Sequence, residues 1–400
     1  MRFRVLDSWR GIAAVCVVLF HFEAANDIHA LRFVQHSFLF VDFFFVLSGF
    51  VIAHAYGDRL TSPANTTQFV IRRFGRVWPL HIAVLAAFVT IELLKYALIS
   101  HAHVAATTGA FDPDGSTPLS SLPQQVLLLQ GIGVTDKLTW NTPSWSISAE
   151  FWTYLLFALI ITLPSRFRTA AFAISAALGA AIVMAYSHHG MDATYDLGLP
   201  RCIFGFSLGC LVYWVRSRAN SQSRSAGTIS EVTAVIAIIA FVTITNRSPL
   251  SYAAPLLFAV VVYIFSFEAG LVSRWLTRPV FQSLGRWSYS IYMVQALIAF
   301  IIGLAVSELQ RRLGVDLWKP IVEDGISKRV IISDHVILLD VLHLVYVAVV
   351  VALAAITYRI IEQPGRRYFN RFANGWTTPR RAQLVPVAAH PSSCQSQESR

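Results

Sequence analysis

About ten stretches of predominantly apolar residues, each near the length of a bilayer crossing, recur along this chain and leave it little freedom in what to fold into. They lie at roughly 8–24, 38–56, 78–99, 146–163, 169–186, 200–215, 231–246, 250–267, 286–306 and 340–361. A span of hydrocarbon needs about 20 such residues in a helix. Lipid offers no partner to a backbone N–H or C=O, so each stretch must satisfy its own. Composition agrees: 55% of residues are hydrophobic and only 14% are charged, where soluble domains average about 25% charged. The expectation is an all-α, polytopic integral membrane protein of about ten transmembrane helices. The segment PQQVLLLQGIG at 123–133 is too short to span and is expected in the interface. The first stretch is too long and too polar for a cleaved signal peptide.

Loop charge gives the chain an orientation. With the N-terminus inside, one side collects Arg2, Arg4 and Arg10, then Arg59, Arg72, Arg73 and Arg76, then Arg166 and Arg168. It continues with Arg216, Arg218 and Arg224, with Arg274, Arg278 and Arg286, and with the basic C-terminal segment. The positive-inside rule then places both termini in the cytoplasm. The same bias accounts for the net charge of +10, so nucleic acid is not implied as a partner. The four cysteines form neither a disulfide framework nor a metal-ligand spacing, and no metal is expected. After Phe372 the composition turns to Pro, Ser, Gln and Ala. Residues 1–372 are expected to form one membrane domain, and 373–400 a disordered cytoplasmic tail.

The polar residues inside the apolar stretches carry the chemistry. In LDSWRGIAAVCVVLFHF, Arg10 and His21 are eleven residues apart, about three turns plus 20°, so they share one helical face about 16 Å apart. An ionisable residue at membrane depth marks a site or a pathway. A histidine there, aligned with an arginine at the helix entrance, suits a catalytic base approached from one side. Asp42 opens the second apolar run and either orients a histidine or caps a helix. Before the third run, Arg73 and Arg76 share a face with Arg72 beside them. Clustered guanidiniums make forked bonds to phosphate, and positive-inside charges meeting anionic lipid would read alike. Glu150, between Trp145 and Trp152, is expected just inside the outer end of the fourth run, there to position an acceptor hydroxyl or share a proton with His21. Arg201, opening the sixth run opposite the positive side, either binds an acidic or sugar substrate or snorkels. Glu362 reads as one half of a cytoplasmic structural ion pair. There is no phosphate-cradling Gly-rich loop and no G-x-S-x-G elbow.

Taken together, LDSWRGIAAVCVVLFHF, VDFFFVLSGFVI, RRFGRVWP, PSWSISAEFW, LGRWSYSIYMVQ and IEQPGRR resemble the membrane acyltransferase-3 family of bacterial polysaccharide and lipopolysaccharide O-acyltransferases. The resemblance covers roughly residues 3–372. It implies ten core helices in a bacterial inner membrane and an acyl-CoA donor, usually acetyl-CoA, approached from the cytoplasm. The implied acceptor is the hydroxyl of a cell-surface or lipid-linked saccharide. By the same resemblance His21 is the catalytic histidine, as base or as covalent acyl carrier. Arg10, Arg73 and Arg76 serve the donor and Glu150 the acceptor. This chain departs from many relatives in having Gln295 where they have histidine; the C-terminal periplasmic esterase-like domain of some relatives is not expected here. A saccharide or lipid transporter without group transfer is the alternative that ten spans equally suit. A scaffold for polysaccharide assembly would need no buried histidine.

Overall fold

The computed structural model describes residues 3–102, 109–219, 227–323 and 326–375. A helix stands at each of the ten expected places: α1 (Arg4–Phe20), α2 (Phe40–Tyr56), α3 (Pro63–Ala102), α4 (Trp145–Ile161), α5 (Ser165–Tyr186), α6 (Gly198–Arg218), α7 (Gly227–Ile244), α8 (Ala254–Phe265), α9 (Pro279–Leu313) and α10 (Val336–Thr357). An eleventh, α11 (Gln363–Gly375), follows a wide π turn at Tyr358–Glu362. Among the described residues eight helices are long and apolar enough to cross a membrane. The other two places are taken by α1, with 17 residues, and α8, with 12. The expected tail lies outside the described residues, apart from 373–375, which finish α11.

Two helices run well past their apolar stretches. The 40 residues of α3 continue through Pro79. A proline in a helix lacks an N–H and crowds the preceding turn. Here α11 packs over it so closely that a Cβ on Gly365 would stand 2.6 Å from the Pro79 ring. The one sheet among the described residues is an antiparallel hairpin, β1 (Trp318–Glu323) with β2 (Ile326–Ile331), registered Trp318↔Ile331 to Glu323↔Ile326. Its last strand clasps the segment after α1: Ala25 donates to the Ile331 carbonyl and Ile331 to the Glu23 carbonyl.

The core is a set of helix seams closed by small residues, as expected where apolar side chains gain little by leaving lipid. At the α2–α6 seam a Cβ on Gly49 or Gly209 would fall 1.9 Å from the carbonyl oxygen of Phe206 or Val46. At the α1–α9 seam one on Gly11 would fall 2.5 Å from the backbone of Gly285. Helix α1 therefore lies in contact with α2 on one side and α9 on another. The segment at 123–133 is too short to span, as expected, and its polar residues find partners inside the bundle. It folds inward against the start of α4, with Gln125 and Gln130 buried. Gly131 N–H donates to Ser148 Oγ, and Ser148 Oγ donates to the Leu128 carbonyl.

Candidate active site

A cavity of about 120 Å³ is enclosed by α1, α2, α3, α4 and α9. Arg10, Arg73, Arg76 and Glu150 all line it. Arg10 is aimed by α9: Nε donates to Ser288 Oγ at 2.9 Å and Nη2 to the Gly285 carbonyl at 3.2 Å, with Asp7 3.5 Å away one turn earlier. Arg76 forms a buried ion pair with Glu362, which also accepts from Ser290 Oγ at 2.7 Å, and its guanidinium lies 5.3 Å from the Tyr289 ring centre. Glu362, expected as one half of a structural ion pair, backs the cavity through Arg76 and is carried by the π turn. Such turns frequently occur at functional sites.

Arg73 differs from its neighbours. Its guanidinium lies 5.3 Å from the ring centre of Tyr56 and 5.9 Å from that of Tyr154. Each such contact is worth about 0.5–2 kcal/mol, depending on desolvation. Its one side-chain hydrogen bond among the described residues is a long one, 3.4 Å to Tyr56 Oη, and Nε is buried with no partner. A guanidinium held by aromatic faces, with a donor left over, is set to receive an oxyanion. Arg72 is not part of this group: it does not line the cavity, and donates to Asn374 Oδ1 at 2.6 Å.

Glu150 is expected near the outer end of its helix, away from the arginines, yet it shares their cavity. The reason is where α4 starts. The chain before it descends into the bundle, so that Asn141 Nδ2 donates to the carbonyl of Met293 in the middle of α9, and Ser146 Oγ meets Tyr292 Oη at 2.8 Å. One turn into α4 is therefore mid-bundle. Tyr154 Oη donates to Glu150 at 2.6 Å and lies 3.1 Å from Ser48 Oγ, which holds the carboxylate toward the cavity. Trp145, one of the two tryptophans flanking Glu150, is buried.

His21 stands at the far end of α1, half-buried, and does not line the cavity. Its Nδ1 lies 2.8 Å from the Val17 carbonyl. A carbonyl can only accept, so the proton sits on Nδ1 and the neutral ring keeps its lone pair on Nε2. The cavity lining on α2 runs from Ile52 to Val41, eleven residues or about 16 Å, the same rise that separates Arg10 from His21. Its Val41 end lies beside Phe38, whose ring is 5.9 Å from that of Phe20. The cavity thus extends from the arginines toward the histidine and stops short of it.

Residues that sequence reasoning passed over hold the histidine end. The last carbonyls of a helix have no partner within it. Here the Leu19 carbonyl is met by Nε2 of the buried His343 at 3.1 Å, and His343 Nδ1 faces Asn26 Nδ2 at 3.2 Å. Phe22 lies between His343 and Tyr346, ring centres 4.8 and 4.9 Å away. A histidine eight residues into the apolar VILLDVLHLVYV was the available signal.

Asp42 and Arg201 are brought together, and away from the other candidates. Arg201 Nε and Nη2 donate to the two Asp42 oxygens at 2.9 and 2.8 Å. Nη1 reaches the Ala193 carbonyl at 3.0 Å, and the guanidinium lies 5.3 Å from the Trp145 ring centre. Both side chains are essentially inaccessible, at 0% and 1% exposure. Neither the orienting role expected for Asp42 nor the substrate contact expected for Arg201 fits this geometry. The pair is a bidentate clamp joining α2 to α6.

A helical bundle with a guanidinium cavity and a histidine further along one helix has the groups to bind an anion and to move a proton. The chain belongs to the acyltransferase-3 family: the family's acyltransferase domain matches residues 3–359. It is therefore an acyltransferase of groups other than amino-acyl groups, which sets aside the transporter reading. A membrane-bound transacylase, BcsY, of Komagataeibacter xylinus is 29% identical over 305 residues, covering 73% of this chain and 72% of that protein. Protein 2 in the picA locus of Rhizobium radiobacter is 41% identical over 98 residues, 24% of this chain and 49% of that one. The acyltransferase MdmB of Streptomyces mycarofaciens is 32% identical over 122 residues, 30% of this chain and 27% of its own length. No solved structure matches.

Proposed function

We propose that the chain moves an acyl group, acetyl in the first instance, from cytosolic acyl-CoA to a hydroxyl of a cell-surface or lipid-linked saccharide in a bacterial inner membrane. In this reading all ten helices cross the bilayer and both termini face the cytoplasm. The observation that carries it is Arg73, an unpaired guanidinium donor in a cavity that leads along α2 toward His21. The donor's phosphates would meet Arg73 first, with Arg76 and Arg10 adding positive charge behind it. The pantetheine arm, extended along the cavity, would carry the thioester toward the histidine. His21 Nε2 takes the proton of the acceptor hydroxyl, the oxygen attacks the thioester carbonyl, the C–S bond breaks, and CoA leaves as the thiolate. General-base help of this kind is worth about 10²–10⁴ in rate.

Glu150 sits with the arginines, so we assign it to the donor end: its carboxylate, held by Tyr154, offsets the positive charge of the cavity between substrates. The decisive experiment replaces His21 by Ala in protein that inserts normally. O-acylation of surface glycans, read by mass spectrometry, should fall at least 100-fold. Parental acylation in that variant refutes the assignment. Trapping an acyl-imidazole after adding acetyl-CoA alone would replace direct transfer by a covalent route.

A further inference from the structure

Gln295 is wholly buried in α9, and neither its amide nitrogen nor its amide oxygen has a hydrogen-bond partner among the described residues. An unpaired buried amide is destabilising, so one at membrane depth calls for a reason. Its position supplies one.

Helices α1 and α9 run in the same direction along their seam. Gln282 Nε2 donates to the Arg4 carbonyl, Gly285 packs on Gly11, and Ser288 receives Arg10. Carried seven residues along both helices from the Arg10–Ser288 contact, this register sets Gln295 beside Val17. Carried ten residues from the Gly285–Asp7 contact, it gives Val17 again, one turn before His21, whose Nδ1 lies 2.8 Å from the Val17 carbonyl. Ser288 and Gln295 are seven residues apart, about 20° short of two turns, so they lie on one stripe of α9. Arg10 and His21 lie on one stripe of α1. Tyr292, between Ser288 and Gln295, lines the cavity. The backbone at Gln295 is pinned as well: Tyr346 Oη donates to its carbonyl at 3.2 Å and stacks on Phe22, the residue after His21.

We propose that Gln295 is the hydrogen-bond donor to the acyl carbonyl oxygen during transfer at His21, a role that rests on the acyl-transfer reading above. As the acceptor oxygen bonds to the carbonyl carbon, the C=O electron pair moves onto oxygen and the amide N–H of Gln295 donates to it. The pair returns as the C–S bond breaks and the CoA thiolate departs. A donor with no resting partner needs no rearrangement to meet charge that develops only in the transition state.

The test uses Gln295→Leu in the full chain, with Gln295→Met as a second variant should leucine pack poorly, and His21→Ala as control. Transfer is followed from radiolabelled acetyl-CoA into the saccharide fraction of membrane vesicles from cells that make the parental chain. Thermal unfolding is followed in detergent. The apolar variants should unfold at or above the parental temperature, because an unpaired amide has been removed. They should nonetheless transfer roughly 100- to 1,000-fold more slowly, the usual effect of removing one oxyanion donor, at little-changed KM for acetyl-CoA. Gln295→His, which restores an N–H, should recover part of the rate. Parental turnover in either apolar variant, or a loss explained by loss of folded protein, overturns the inference when His21→Ala is inactive. If His21→Ala is itself active, the acyl-transfer assignment to His21 fails first and takes this one with it.

Discussion

Replacing Asp42 by Asn should unfold this protein without touching its chemistry. The substitution keeps shape and removes one charge, leaving the buried Arg201 guanidinium without its paired carboxylate. Removing one partner of a buried ion pair costs about 3–5 kcal/mol, a fall of two to nearly four powers of ten in the folded-to-unfolded ratio. The upper half of that range applies here. Exposure is 0% and 1%, and the pairing is bidentate at 2.8–2.9 Å. The double variant Asp42→Leu with Arg201→Met removes both charges, and buried pairs so replaced are often neutral or stabilised. It should recover most of the loss, giving a coupling energy of several kcal/mol in a double-mutant cycle. Stability is read by denaturant titration of tryptophan emission in detergent, and acyl transfer is measured per folded molecule. An Asp42→Asn protein as stable as its parent but unable to transfer would refute the clamp and return Asp42 to the chemistry.

Three further outcomes follow from the same geometry. Arg73→Ala should weaken CoA binding by about 1.5–3 kcal/mol, the worth of a charged hydrogen bond, or roughly 10- to 150-fold in Kd by calorimetry. Unchanged affinity would remove Arg73 from the donor site. Gly209→Ala, whose methyl would meet the Val46 carbonyl at 1.9 Å, should destabilise by about 1–3 kcal/mol through overpacking, visible as a lower melting temperature. His29 sits 3.1 Å from Lys328 and 3.9 Å from Glu323, at the place where the hairpin meets the loop after α1. Burial, reinforced by the Lys328 ammonium, pushes its pKa down to about 4. The unfolded chain, with a histidine near 6.5, takes up a proton that the folded one refuses. Stability is therefore complete above about pH 6.5 and is lost as pH falls toward 4. Hydrogen exchange at residues 318–323 and 326–331 should accelerate across that window, and His29→Gln should flatten the profile.

The helical architecture could be read from the chain because a bilayer enforces a local rule. A helix that satisfies its own backbone needs only about 20 apolar residues in a row, and α2, α5 and α6 end within a few residues of where their apolar stretches end. Where a helix continues beyond the apolar run, as α3 does through Arg72 and Pro79, composition gives no warning, since packing of α11 sustains it. The stripe of Arg10 and His21 was legible for a similar reason: periodicity within one helix fixes which residues share a face. Arg73 and Arg76 were legible by the same rule.

What the sequence determined by itself, then, is whatever one helix carries alone: that it forms, which residues share its face, and that a charged residue within it has a purpose. Which face meets which was decided by the tertiary structure. Asp42 is committed to Arg201 across a sequence separation of 159 residues, and Arg76 to Glu362 across 286. Glu150 joins the arginines because the chain before α4 dips to the level of Met293. Gln295 is tied through its carbonyl to Tyr346, which stacks on Phe22 just past the end of α1. None of these pairings leaves a local trace, because a carboxylate reads the same in the sequence whether it faces a guanidinium, a substrate or a proton.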